Sequence, residues 1–293
     1  GQCAPRPPGT HAHPPPPQAA MPSLFDKVGK PVKDVLSGDY SLKNQLKLNT
    51  STDNGTKVSA TSTKKADSIG HEIKVNMSPA SGVAVEGKVD ASGKIGFKVD
   101  YTDIKNVKVT ANVAVPDVLA SDVDLVVTTG GSTATETTIG LSSTPKVHFV
   151  ASNSGFVSGM TSAAELSFDM AKGGLSKYGF ATSYKQGDMT AVAQATDKLD
   201  TVKVGLVHNY SDAFSWAAEY AKKLSKDSST FTVGQSFKID PSSSIKAKLD
   251  NNGVLSAVYK LEVKKGTSFA ATAEMSALNL EKAPKLGFTV SMK

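Results

Sequence analysis

From Tyr40 to the C-terminus, apolar and polar residues alternate in short runs. Ile95, Phe97, Val99 and Tyr101 alternate with Gly96, Lys98 and Asp100. Phe214, Trp216, Ala218 and Tyr220 alternate with Ser215, Ala217, Glu219 and Ala221. The last run sets Leu286, Phe288, Val290 and Met292 against Gly287, Thr289 and Ser291. A period of two puts each set on its own face of a strand. Counted this way, the chain predicts nineteen strands: 41–50, 56–63, 69–77, 82–90, 94–101, 107–115, 122–128, 133–142, 146–152, 161–170, 176–185, 188–196, 201–209, 214–224, 229–239, 243–250, 254–263, 267–276 and 285–292. Eighteen or twenty would fit the pattern nearly as well.

Asn54-Gly55 and Asn252-Gly253 fall between strand-like runs and signal hairpins. Ser92-Gly93, Gln186-Gly187 and Lys265-Gly266 mark further turns. Links this short leave no room for crossover helices, so the strands form an antiparallel meander. An open sheet of this size would expose two long edges, and closing it into a barrel removes them. The interior of so large a barrel is too wide for side chains to fill and holds water. The other face then needs lipid. No compositional linker splits 40–293, and the pattern predicts one all-β transmembrane barrel over that range.

The chain just before it has a different period. In Pro22–Gly38, Leu24, Phe25, Val28, Val32, Val35 and Leu36 recur at helical spacing, while Asp26, Lys27, Lys30, Lys33 and Asp34 take the other side. The spacing predicts an amphipathic helix within 21–39, broken near Gly29–Pro31 because proline lacks an N–H and clashes with the preceding turn. Ser23 is the expected N-cap and Gly38 the expected stop. Periodicity alone leaves open whether the helix packs on a sheet or lies at a membrane or in a pore. Residues 1–20 hold seven of the fourteen prolines and no Asp, Glu or large aliphatic residue, so they read as a disordered or polyproline extension.

Composition removes most alternatives. Of the 33 basic residues only Arg6 is Arg, and against 27 acidic ones they leave a net charge of +6. Scattered lysines without an Arg cluster do not make a nucleic-acid face. A basic lumen attracting small anions fits the same charge. One cysteine, Cys3, excludes an intrachain disulfide and a thiolate metal cluster. His71, His148 and His208 fall in three strands at no ligand spacing, with His71 in register with Ile69, Ile73 and Val75. No enzyme chemistry, cofactor or metal is expected.

Two short motifs and a set of late-strand segments carry a resemblance. Val28-Gly29-Lys30-Pro31-Val32-Lys33-Asp34-Val35-Leu36, ending at Tyr40, is similar to the N-terminal helix of mitochondrial voltage-dependent anion channels, the eukaryotic porins. Lys285, Gly287, Val290 and Met292 match that family's last-strand insertion signal. Phe231-Thr232-Val233-Gly234, Ile239-Asp240-Pro241 and Ile245-Lys246-Ala247-Lys248 look like its late strands, most like the plant and algal branch. The resemblance covers 21–293. It implies nineteen strands with the first and last parallel, a helix folded into the lumen, voltage gating and the mitochondrial outer membrane. It also implies permeation of small ions, ATP, ADP and phosphate, an outer-membrane insertion machinery, membrane lipid around the barrel, and other membrane proteins or copies of the chain as partners.

On that reading Lys27, Lys30 and Lys33, with Asp26 and Asp34 opposing them, set a positive constriction. Lys43, Lys47, Lys74, Lys98, Lys108, Lys203, Lys246 and Lys248 alternate with apolar neighbours and are expected to line the lumen. Glu86 is expected on the inward face with them. The single glycine in Gly38-Asp39-Tyr40-Ser41 argues against a freely swinging helix. The alternative is a soluble or surface-exposed all-β structural or binding protein.

Overall fold

A computed structural model describes residues 24–65, 68–129, 131–142, 144–226 and 228–293. The expected N-cap Ser23 and the 1–20 extension lie outside the described residues. Two short helices open the fold, α1 (Phe25–Val28) and α2 (Lys30–Leu36). Gly29 separates them and Pro31 stands in the first turn of α2, where a missing N–H costs nothing. The predicted break is therefore two helices in tandem. The stop differs from expectation. Ser37 is the C-cap, Gly38 N–H bonds back to the Lys33 carbonyl at 2.7 Å, and Asp39 is the residue at positive φ, 77°.

Nineteen strands follow among the described residues. They are β1 (Asn44–Ser51), β2 (Lys57–Lys65), β3 (Ser68–Ala80), β4 (Val83–Asp90), β5 (Ile95–Tyr101), β6 (Val107–Val115) and β7 (Asp122–Thr129). Next come β8 (Thr133–Gly140), β9 (Lys146–Asn153), β10 (Met160–Asp169), β11 (Gly174–Gln186), β12 (Met189–Thr196) and β13 (Thr201–Asn209). The last six are β14 (Phe214–Lys223), β15 (Ser228–Asp240), β16 (Ser243–Asp250), β17 (Val254–Lys264), β18 (Thr267–Ser276) and β19 (Lys285–Met292). Each pairs antiparallel with its neighbours in sequence, and β1 also pairs with β19, so the sheet closes.

The closing pair is parallel, with Leu46 opposite Val290 and Leu48 opposite Met292. Side chains reinforce this seam. Asn49 Nδ2 donates to Ser291 Oγ at 3.0 Å, and the Phe288 N–H donates to Asn44 Oδ1 at 3.0 Å. The first strand starts at Asn44, not 41, so Leu42 and Lys43 belong to the link before it. A Cβ on Gly287 would stand 2.5 Å from Leu42 Cα, so the link crosses the last strand where that strand has no side chain.

The two strand faces differ throughout. One exposes Leu46, Ile73, Phe97, Leu166, Phe180, Val204, Phe231, Leu249 and Phe288. The other carries most of the charged strand residues and, over β9–β16, the helices. Burial is concentrated there. Phe25, Val28, Val32, Val35 and Leu36 are buried, packed on Val150, Ala163, Ala181, Val192, Val207 and Ala217 of the wall.

Candidate functional site

The helix-bearing face is built from wall glycines upward. Gly179, Gly205 and Gly234 stand on β11, β13 and β15. A Cβ at Gly205 would lie 3.0 Å from Val32, one at Gly234 2.7 Å from Leu36, and one at Gly179 3.2 Å from Phe25. Alternate strands thus lose their side chains where a helix side chain must enter. Gly29 makes the reverse concession, since a Cβ there would meet Gln194 of β12 at 2.9 Å. Burying five apolar helix residues stabilises docking by roughly 1.5–3 kcal/mol each before ordering costs. The ion pairs around the helix are partly exposed and contribute about 0–1 kcal/mol each. Apolar contact therefore holds the helix on the wall, and charge orients it.

The polar side of the helices stays open. Asp26, Lys27, Lys30, Lys33 and Asp34 are exposed, with Lys30 Nζ 2.5 Å from Asp34 Oδ2. Across β1–β6 and β13–β16, Lys47, Lys74, Lys98, Lys108, Lys203, Lys246 and Lys248 all stand on the helix-bearing face, in register with its polar positions. Lys43 is exposed in the link instead. Several of these lysines face acids that the lysine count overlooked. Lys74 Nζ lies 3.6 Å from Glu86 and 3.8 Å from Glu72. Asp100 receives Lys108 at 3.1 Å and Lys98 at 3.8 Å. Glu86, opposite Asn76 and Lys98, shares that face as expected.

Under α1 the wall holds a buried carboxylate. Glu165 Oε2 accepts from Lys177 Nζ at 2.9 Å and lies 3.8 Å from His148 Nε2, while Oε1 has no hydrogen-bond partner among the described residues. His148 also shares a 2.7 Å hydrogen bond with Ser167 Oγ. His71 stands exposed on the apolar face, 3.0 Å from Ser62 Oγ. His208, also on that face, meets Trp216 and Tyr210 edge-on. The three histidines do not meet, and no group of three or more His, Cys, Asp or Glu gathers to hold a metal ion among the described residues.

Sequence reasoning missed the clamp on the link. Asp39 accepts from Lys246 Nζ at 2.8 Å and lies 2.6 Å from Lys260 Nζ. Lys246 Nζ also donates to the Asp34 carbonyl at 2.8 Å, satisfying a carbonyl of the last turn of α2. Tyr40 Oη donates to the Val35 carbonyl at 3.2 Å, and Lys248 Nζ sits 4.7 Å from the Tyr40 ring centroid. Burial acts to raise the Asp39 pKa, but hydrogen bonds and charge from Lys246 and Lys260 outweigh it and hold the carboxyl below its ordinary value. Burial, aided by the Asp39 charge, pushes the Tyr40 hydroxyl up to about 12. The absence of a second glycine in the link was the one signal that it is held.

Comparison with known proteins agrees with this architecture. The family model "Eukaryotic porin" matches residues 21–287. The chain is 30% identical over 275 residues to "Mitochondrial outer membrane protein porin 5" of Oryza sativa subsp. japonica, covering 93% of this chain and 98% of that protein. It is 28% identical to porin 1 of the same plant, with the same coverage, and 25% identical to porin 4 of Arabidopsis thaliana over 94% of this chain and 99% of that one. Among solved structures, a mutant Rh. blastica porin overlaps with a TM-score of 0.49 at 10% identity, over 76% of this chain and 90% of that one, a likeness too loose to add weight. A family match over nearly the whole closed barrel and its helices leaves one assignment: the chain belongs to the eukaryotic porin family.

Proposed function

We propose that the chain is a voltage-gated, weakly anion-selective diffusion channel of the mitochondrial outer membrane, of the plant and algal branch. It passes small ions and metabolites such as ATP, ADP and phosphate. The observation that carries this reading is the division of the closed sheet into an apolar exposed face and a charged, helix-bearing face. A closed barrel of this size encloses water, and exposed Leu, Ile, Val and Phe on its other face are stable against hydrocarbon. The helix-bearing face is then the lumen, and the amphipathic helix lies within it. Outward aromatic residues support the placement, since Trp216, Phe214 and Tyr210 cluster with His208 near one rim, as an interfacial girdle does.

Lys27, Lys30 and Lys33 project from the helix into that lumen, and the strand lysines line it. Pairing of Lys74, Lys98 and Lys108 with acids cancels part of their field, which is why the preference is weak. Lys285, Gly287, Val290 and Met292 serve as the insertion signal read by the outer-membrane insertion machinery. Residues 1–20 are dispensable for insertion and conductance. Reconstitution in a planar bilayer under a salt gradient tests the channel. The expected reversal potential has the sign of an anion preference; a zero or cation-favouring value contradicts it.

A further inference from the structure

The clamp on the link places a carboxylate inside a group of cations. Lys246 and Lys248 stand two residues apart on one face of β16, and Lys260 stands on the adjacent strand β17, whose Lys260 pairs with Ser244. Two of the three ammonium groups bind the two oxygens of Asp39, and the third stacks over Tyr40. Separate oxygens on separate ammonium groups are what a phosphate group would also offer.

We propose that Lys246, Lys248 and Lys260 form an anion-binding cradle, that Asp39 occupies it as an internal competitor, and that a phosphate-bearing anion displaces Asp39 and frees the link. This rests on the reading that the helix-bearing face lines the pore, because that is how the anion arrives. The release is local. The apolar contacts of Phe25, Val28, Val32 and Val35 do not involve the cradle, so α1 and the first turn of α2 stay on the wall. Lys246 is shared between Asp39 and the Asp34 carbonyl, so its capture by an anion also uncaps the last turn of α2. Because Asp39 is tethered next to the cradle, the external anion must compete with an effective concentration on the order of millimolar. Chloride puts its single charge on one atom and has no second oxygen, so it does not reproduce the two-oxygen match that the Asp39 carboxylate makes with Lys246 and Lys260.

The test uses the full chain with Cys3→Ser, spin-labelled at Ser37→Cys at the C-cap of α2, where the link begins, or at Lys27→Cys in α1 as a control. Inorganic pyrophosphate is expected to mobilise the Ser37 label with a midpoint on the order of millimolar, while sodium chloride at matched ionic strength leaves it immobile. The Lys27 label is expected to stay immobile in both. Asp39→Asn keeps a residue tolerant of positive φ and should mobilise the Ser37 label without any anion. Lys246→Gln with Lys260→Gln should do the same and abolish the pyrophosphate response. A Ser37 label that ignores pyrophosphate, or responds equally to chloride, overturns the proposal. Conductance of the same preparation separates the two readings. A conducting chain without the pyrophosphate response refutes the cradle and leaves the pore. A non-conducting chain with the response refutes the pore and leaves the cradle.

Discussion

Two halves of the same wall solve opposite problems. Where the helices rest on β9–β16 the contact residues are mostly small and apolar, Gly179, Ala181, Val192, Gly205, Val207, Ala217 and Gly234, with the buried Glu165 and Gln194 as polar exceptions. Over β3–β6 the same face is bare and carries Glu72, Lys74, Glu86, Lys98, Asp100 and Lys108 in paired charges. The covered half is shaped by steric fit, where a single methyl group matters. The bare half is held by partly exposed charges, where one side chain matters little for stability and more for the field. The helix therefore has one seat on the barrel, and the seat is set by volume before charge.

The strongest way to break that contrast is to charge the seat. Val32→Asp places a carboxylate against Val192 and Val207, losing apolar burial and adding desolvation, together roughly 3 kcal/mol or more. The helix can escape the cost by leaving the wall, so the expected outcome is an undocked helix on an intact barrel. A spin label at Lys33 becoming mobile while the β-sheet circular dichroism is unchanged would report it.

A smaller change asks whether volume alone suffices. Gly205→Val should weaken docking by about 1–3 kcal/mol, because its side chain meets Val32 from the wall. Gly96→Ala in the bare half meets only the flexible Lys88 side chain and should change stability by less than about 0.5 kcal/mol. Thermal melts of the two variants in one detergent compare them directly; equal losses would remove the distinction between the halves.

Acid should loosen the link without undocking the helix. Asp39 has its carboxyl held below the ordinary value in the folded chain, so its contribution is present above the unfolded pKa and is lost as pH falls through the folded one. The expected window lies below about pH 4. A label at Ser37 should mobilise there, and Asp39→Asn should remove that transition. The smallest effect belongs to the bare half. Lys74→Gln should cost about 0–1 kcal/mol in stability, while moving the reversal potential in a salt gradient toward cations.

The contrast between the halves also explains what could be read from the chain. The strands were legible because the exposed face is apolar nearly everywhere, as in Phe97–Val99–Tyr101 or Phe288–Val290–Met292, whatever lies opposite. The helix was legible because Phe25, Val28, Val32, Val35 and Leu36 keep one face. The seat was not, because Val192 and Val207 look like ordinary strand residues until a helix covers them, and Gly205 and Gly234 look like turn or spacing residues. The clamp was out of reach for another reason. Asp39 and Lys246 are 207 positions apart, and they meet because α2 docks on β13–β16 of the closed sheet. The start of β1 was misplaced because Leu42 continues the apolar alternation, while Gly287 lets it cross the last strand rather than pair in it.

The central claim is that the apolar face meets lipid and the helix-bearing face meets water. Spin labels placed one at a time at Phe288, Thr289, Val290 and Ser291 of β19 in reconstituted bilayers test it most directly. The account predicts that 288 and 290 are relaxed by oxygen and shielded from a water-soluble nickel reagent, and that 289 and 291 behave the opposite way. Labels at all four positions that report water, or a chain that stays monodisperse in plain buffer, would contradict it.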